Sequence, residues 1–165
     1  MKRTGDYMFS KTEIEEYLNL GIYKRSERLV KILFKDKCDK SNTNYLNHLH
    51  HVSEDFKDSR KKAMALMHDV LEDTDVTSDD LLKLGYDKEF ILVLEILTHR
   101  DGSYSEYIDK IINSKNKDAI EIKMKDLLHN MDLTRIKNIT EKDIKRCKKY
   151  IDAYLKLIKY MEGDY

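Results

Sequence analysis

No proline and only five glycines occur in these 165 residues, and that scarcity limits the architecture more than any other feature. Hairpins and strand corners depend on Gly, Pro and other residues that tolerate left-handed backbone, so a sheet protein nearly without them has few ways to reverse its chain. A chain rich in Lys, Glu, Leu and Ile favours helix instead. An all-α fold is expected. Hydrophobic residues make up 41% of the chain, and folding at this length buries ~70% of the unfolded surface. One core and one domain over residues 1–165 suffice, with no linker, internal repeat or low-complexity segment to divide them.

Helix starts follow from residues whose side chains accept a hydrogen bond from an orphan backbone N–H. Ser10 and Glu13 open a first helix that ends near Gly21, and a second covers about Glu27 to Phe34. Lys35 to Thr43 is polar and reads as a loop, followed by a helix from about Asn44 to Phe56. Asp58 caps a fourth, whose apolar face (Ala63, Met64, Leu66, Met67, Val70, Leu71) runs on into His68-Asp69 and Glu72-Asp73. Thr77 and Asp80 bracket a short helix stopped at Gly85, and Asp87 precedes the strongly apolar run Phe90–Leu97. Periodicity alone would allow a buried strand there; the capping Asp and the helical context favour helix. Ser103 and Glu106 start another helix, a further one covers about Asp118 to Asp132, and the last spans 140–162, stopped at Gly163. The expectation is a single-domain bundle of about eight to nine helices.

Thirty-one Lys and Arg balance thirty-one Asp and Glu. That balance disfavours a general nucleic-acid or anionic-membrane binder and leaves little charge repulsion to oppose a homo-oligomer. No uncharged apolar run approaches a membrane span, and none follows the two basic residues of Met1–Met8. Cys38 and Cys147 lack a CxxC spacing and read as free thiols. A cytoplasmic protein is expected. The charge is nevertheless segregated: Asp69 to Glu89 carries eight acids against two lysines, and Arg135 to Lys159 nine bases against three acids. Two solvated helix faces would account for this, and so would a metal site facing a phosphate-binding wall.

A lone His-Asp dipeptide carries little information. His68-Asp69 gains meaning because Glu72-Asp73 follows one turn later, which on a continuous helix places His68 under Glu72 and Asp69 under Asp73. Clustered carboxylates beside an apolar face repel one another and resist desolvation, and a divalent cation resolves both problems. Imidazole with carboxylate suits Mn²⁺, Fe²⁺ or Zn²⁺. Asp126 and Asn130 form another i,i+4 polar pair, in Lys125-Asp-Leu-Leu-His-Asn-Met131, and His48 in Tyr45-Leu-Asn-His-Leu-His-His-Val52 is a third source of ligands.

Tyr45, His48 and Val52 fit the pattern Y-x-x-H-x-x-x-V, residues 68–74 fit H-D-x-x-E-D-T, and Asp126, His129, Asn130 and Met131 fit D-x-L-H-N-M. In these segments and their order, over about residues 27–136, the chain resembles the HD superfamily of metal-dependent phosphohydrolases, in particular the hydrolase domain of RelA/SpoT-type enzymes and the small alarmone hydrolases. The resemblance implies an HD-type helical domain acting on a small-molecule nucleotide, removing the 3′-diphosphate of (p)ppGpp or a relative. It implies one divalent metal, Mn²⁺ first, with Fe²⁺, Zn²⁺ or Co²⁺ as substitutes, ligated by His48, His68, Asp69 and Asp126. Glu72 and Asp73 would position the attacking water as catalytic residues, and Asn130 would contact the nucleotide. The dense basic supply of the last helix makes Arg146 and Lys149 the candidate phosphate contacts.

The chain departs from the family where the base is bound. Asp39 stands where the alarmone hydrolases generally carry a base-stacking Arg, and Leu49 replaces the usual Pro after the histidine. Two other readings therefore remain open: an HD-type phosphatase of nucleoside monophosphates or of a phosphorylated dinucleotide, and a degenerate HD module that only binds a nucleotide.

Overall fold

The computed structural model describes residues 9–163; the basic start at Met1–Met8 lies outside them. Among the described residues the chain forms ten α-helices and one 3₁₀ turn. They are α1 (Lys11–Leu18), α2 (Ile22–Leu33), α3 (Leu46–Glu54), α4 (Ser59–Leu66), α5 (Val70–Asp73), α6 (Ser78–Lys83), α7 (Lys88–Leu97), α8 (Tyr104–Asn113), α9 (Lys117–Met131), the turn Leu133–Arg135, and α10 (Glu141–Glu162). An isolated antiparallel bridge, Cys38 to Asn44, closes the loop before α3. Cys38 and Cys147 are free. No described helix is long and apolar enough to cross a membrane.

The capping residues hold as expected. Full capping boxes form at Ser10/Glu13, Thr77/Asp80, Ser103/Glu106 and Thr140/Asp143, while Asp58 and Asp87 accept from Lys61 N and Phe90 N. Gly163 ends α10 in the left-handed conformation. The apolar run Phe90–Leu97 lies within the helix α7 and is not a strand.

Two boundaries differ. The second helix starts at Ile22, five residues before Glu27, with Gly21 as an N-cap that offers no side chain and therefore no capping signal. Ser26 in that extra turn is buried, its hydroxyl 3.1 Å from Tyr86 Oη. The expected single helix after Asp58 instead breaks at Met67–Asp69 into α4 and α5, which takes the count past eight to nine. His68 Nδ1 lies 2.8 Å from the Ala65 carbonyl and occupies an acceptor that a continuing helix would use.

α4 is the central element. Ala63, Met64, Ala65 and Leu66 are all buried, as expected of a helix enclosed by others: α2, α3, α7 and α9 pack around it. α9 packs in turn on α3, α7, α8 and α10. Three points of the bundle that will matter chemically, mid-α3, the α4–α5 break and the C-terminal half of α9, thereby face one another.

Arg25 ties the periphery together. Its guanidinium donates to the carbonyls of Tyr17 (3.0 Å), Leu18 (3.3 Å), Leu20 (3.1 Å) and Gly85 (2.7 Å). α1 has no basic residue in its last turn, so a cation from α2 satisfies its orphan carbonyls. Gly85 makes the approach feasible: its φ is +80°, and a Cβ there would sit 2.5 Å from Leu18 Cδ2 and 2.8 Å from Arg25 Nη1. Arg25→Met should therefore destabilise the fold by about 2 kcal/mol, the scale of losing charge-assisted bonds to partly buried acceptors. Urea unfolding followed by circular dichroism measures this; a midpoint equal to wild type would show that these bonds contribute nothing.

Candidate metal centre

Two imidazoles and two carboxylates converge where α3, the α4–α5 break and α9 meet. His68 Nε2 lies 3.0 Å from Asp69 Oδ2 and 3.6 Å from Asp126 Oδ1; His48 Nε2 lies 3.2 Å from Asp126 Oδ1 and 3.8 Å from Asp69 Oδ2. The two Nε2 atoms are 3.3 Å apart. Metal–ligand bonds of ~2.1 Å place neighbouring ligand atoms about 3.0 to 3.4 Å from one another, so the cluster has the dimensions of one coordination sphere. His48, His68 and Asp69 meet the spacing of a metal-holding group, and Asp126 adds a fourth donor. His48, His68 and Asp126 are buried. The residues present fit a single divalent cation.

Each donor is oriented by a second contact, as metal ligands generally are. His68 Nδ1 donates to Ala65 O, so Nε2 is the ring nitrogen that faces the cluster. Tyr45 donates to Asp69 Oδ2 at 2.5 Å. Asn130 Nδ2 donates to Asp126 Oδ1 at 2.5 Å, and Lys123 Nζ donates to Asp126 Oδ2 at 2.8 Å. His48 Nδ1 lies 2.6 Å from His129 Nδ1, so His129, one turn beyond Asp126, is a partner of a candidate ligand.

The electrostatics suit an anionic ligand set. Burial works to raise Asp69, but the adjacent His68 outweighs it and holds the carboxyl down at about 2. Burial likewise opposes ionisation of Asp126, and Lys123, His48 and His68 prevail, keeping it well below the carboxylate range. Burial pulls Lys123 down, yet the charge of Asp126 carries it well above the usual lysine value. Burial lowers His129 to about 3, with His48 and Arg135 acting in the same direction.

The cluster opens into a cavity of about 390 Å³. Glu72 and Asp73 line it as well; Asp73 keeps the helical spacing to Asp69, its N–H donating to the Asp69 carbonyl at 2.9 Å, whereas Glu72 does not stack on His68 as a continuous helix would require. The break at Met67–Asp69 turns Glu72 toward His99, whose backbone N–H donates to Oε2 at 2.8 Å, and Asp73 pairs with Lys37 at 2.6 Å. Desolvation raises the Glu72 carboxyl above its ordinary value. Lys40, Arg135, Arg146, Tyr104 and Tyr150 also line the cavity. Arg146 lines the cavity, as Asn130 does; Lys149 is not among the lining residues, its Nζ lying 4.2 Å from the Tyr104 ring centre. Burial lowers both Lys40 and Lys149, helped by their like-charged neighbours, Arg146 among them. Cations crowded in this way constitute a site that an anion would stabilise.

Sequence reasoning singled out every donor of the cluster but missed Lys123, Lys37, Lys40 and Arg135. Lys123 carried one usable signal, an i,i+3 spacing to Asp126 on the same helical face. Lys37 and Lys40 are brought to the cavity by a loop and Arg135 by a short 3₁₀ turn, neither of which has a periodicity to read.

No protein-family model matches the chain, and no curated protein matches it. Solved structures do. One, described as a metazoan ortholog of SpoT that hydrolyses ppGpp and plays a role in starvation responses, is 22% identical and aligns over 96% of this chain and 98% of that chain, with a TM-score of 0.61. A match extending over nearly the whole of both chains concerns the whole fold: this chain has the same all-α fold as that structure.

Proposed function

We propose that the chain is a metal-dependent phosphohydrolase that removes the 3′-diphosphate of (p)ppGpp or a closely related nucleotide. The observation that carries this reading is one cavity whose lining combines the convergent donors His48, Asp69 and Asp126 with the crowded cations Lys40 and Arg146. A substrate carrying several phosphates suits such a lining. The structural neighbour's hydrolysis of ppGpp supports the same reading, and the family resemblance puts Mn²⁺ first as the metal.

A divalent cation held by His48, His68, Asp69 and Asp126 supplies Lewis acidity and a water ionisable near neutral pH. The remaining work belongs to the chain. Glu72, raised by desolvation and held by the His99 amide, is the better placed of the two carboxylates to take the water's proton. Asp73 instead keeps Lys37 at the cavity wall. Asn130 steadies Asp126 while lining the cavity. Arg146 and Lys40 receive the distal phosphates, Lys149 adds positive charge behind the Tyr104 ring, and Tyr150 flanks the base or ribose.

Three measurements test this. His68→Ala and Asp126→Ala should each lose stoichiometric Mn²⁺ after mild chelation and reloading, read by elemental analysis; full metal in both would end the metal reading. Glu72→Gln should keep its metal and lose about 10²-fold in turnover, the usual loss when a general base is removed, and unchanged turnover would leave Glu72 as a support for His99. Arg146→Ala should raise KM for ppGpp far more than KM for its 5′-dephosphorylated analogue, since the analogue has no distal phosphate to lose a charge-assisted contact. If metal-loaded protein releases no pyrophosphate from ppGpp, its adenosine counterpart or the analogue, the diphosphatase reading fails and the monophosphatase alternative takes its place.

A further inference from the structure

The last helix has a face that neither the core nor the cavity uses. α10 packs against α8 and α9, burying Ala153 and Leu157, and it sends Arg146 and Tyr150 to the cavity. On the opposite side Ile144, Ile151 and Leu155 are 57%, 43% and 50% exposed. Together with Lys148, the half-buried Ile158 and Glu162 they occupy positions 144, 148, 151, 155, 158 and 162, alternating steps of four and three residues. That is the spacing of a coiled-coil seam, a single stripe along one helix that a second helix covers. An apolar stripe left to solvent along most of a helix marks an association surface, whereas surface apolar residues scattered singly need no explanation.

The charges of α10 determine what can cover the stripe. The helix is basic as a whole, but several of its bases are engaged elsewhere: Lys156 pairs with Asp109 at 2.5 Å, Arg146 with Asp143 at 2.8 Å, and Lys149 sits over the Tyr104 ring. Within the stripe stand one cation and one anion, Lys148 and Glu162, both exposed and, among the described residues, neither ion-paired within the chain. A second copy laid antiparallel about a two-fold axis near residue 153 brings Ile151 onto the partner's Leu155, Lys148 onto the partner's Ile158 and Ile144 onto the partner's Glu162. Lys148 is then about one helical turn from the partner's Glu162, within reach of its long side chain, and by symmetry that pair forms twice. A parallel pairing would instead set Lys148 against the partner's Lys148 and Glu162 against the partner's Glu162. Charge therefore selects the antiparallel arrangement, and the balanced net charge of the chain adds no long-range repulsion.

We propose that the exposed stripe of α10 formed by Ile144, Ile151, Leu155 and Ile158 is a homodimer interface, in which two copies of the chain pair antiparallel through their last helices and Lys148–Glu162 ion pairs close both ends of the seam. A single helix face is smaller than the ~800 Å² that each partner buries in a standard complex, so the dimer forms reversibly in the micromolar range. Because Arg146 and Tyr150 leave α10 on its other side, the second copy lies behind the helix from the cavity. The interface stands independently of the reaction proposed above.

Sedimentation velocity of the full chain over a concentration series through the micromolar range tests this. Wild type should show a concentration-dependent dimer. Ile151→Glu puts a charge at the centre of the seam and should be monomeric throughout, with unchanged far-ultraviolet circular dichroism; if it loses helix, the milder Leu155→Gln decides. Lys148→Glu or Glu162→Lys alone should weaken the dimer about 10-fold, because each turns two attractive pairs into repulsive ones. Combining Lys148→Glu with Glu162→Lys should restore the wild-type affinity, whereas a parallel pairing would be indifferent to either single change. A wild type that stays monomeric, or a dimer that Ile151→Glu and Leu155→Gln leave intact, would overturn the proposal. Single charge changes without effect, or a double exchange that fails to restore the dimer, would overturn the antiparallel pairing. A monomer that binds vesicles of anionic phospholipid, and loses that binding with Ile151→Glu, would overturn the homodimer and assign the stripe to a membrane surface.

Discussion

Two carboxylates, Asp69 and Asp126, lie within 3.8 Å of the same imidazole nitrogen, and Asp126 is almost completely buried. Removing ionised groups from water costs several kcal/mol each unless partners replace the lost solvation. Every contact around the cluster supplies part of that replacement: Tyr45 on Asp69, Lys123 and Asn130 on Asp126, and two imidazoles facing both. Lys123 is the clearest case, a cation desolvated with its anion and flanked by the rings of Tyr104 and Tyr107. A hydrophobic core with no ligand to bind would have no use for such an arrangement, which is why the cluster identifies the functional end of the molecule.

The rest of the bundle serves to make three distant segments meet at that point. The C-terminal half of α4, Ala63–Leu66, is buried and the helix packs against both α3 and α9, so residues 48, 68–69 and 126 approach one another around its buried end. The break after Leu66 is part of the same arrangement. A continuous helix would have kept His68 and Glu72 on one stripe, whereas the break lets His68 turn inward to His48 and Glu72 outward to His99. Ligation and proton transfer are thereby divided between neighbouring residues.

The segregation of charge along the chain divides between cavity and helix ends. Asp69, Glu72, Asp73 and Arg146 all line the cavity. Asp80 and Asp87 instead cap α6 and α7, and Asp143 caps α10 while pairing with Arg146. An acid-rich stretch of sequence thus mixes residues with chemical and purely helical roles, and net charge cannot separate them.

The helical class, most of the helix starts and all four metal donors were legible in the sequence, because each depends on neighbours within about one turn. A capping Asp or Ser acts on a backbone N–H three residues ahead, and the donors stand in compact motifs. Glycine was the local exception: Gly21 caps α2 without a side chain and so left no signal. What only the tertiary structure decided is the second layer of the site. Lys37 and Asp39 arrive on a loop and Arg135 on a 3₁₀ turn, and their partners Asp73, Arg135 and His129 lie on other elements. Pairings across 36 or 96 positions are set by how helices pack, and packing depends on the whole core at once. The sequence by itself determined that a helical protein carrying these His and Asp motifs on its helices would form; the tertiary structure decided which cations face the cavity and which side chains surround the cluster.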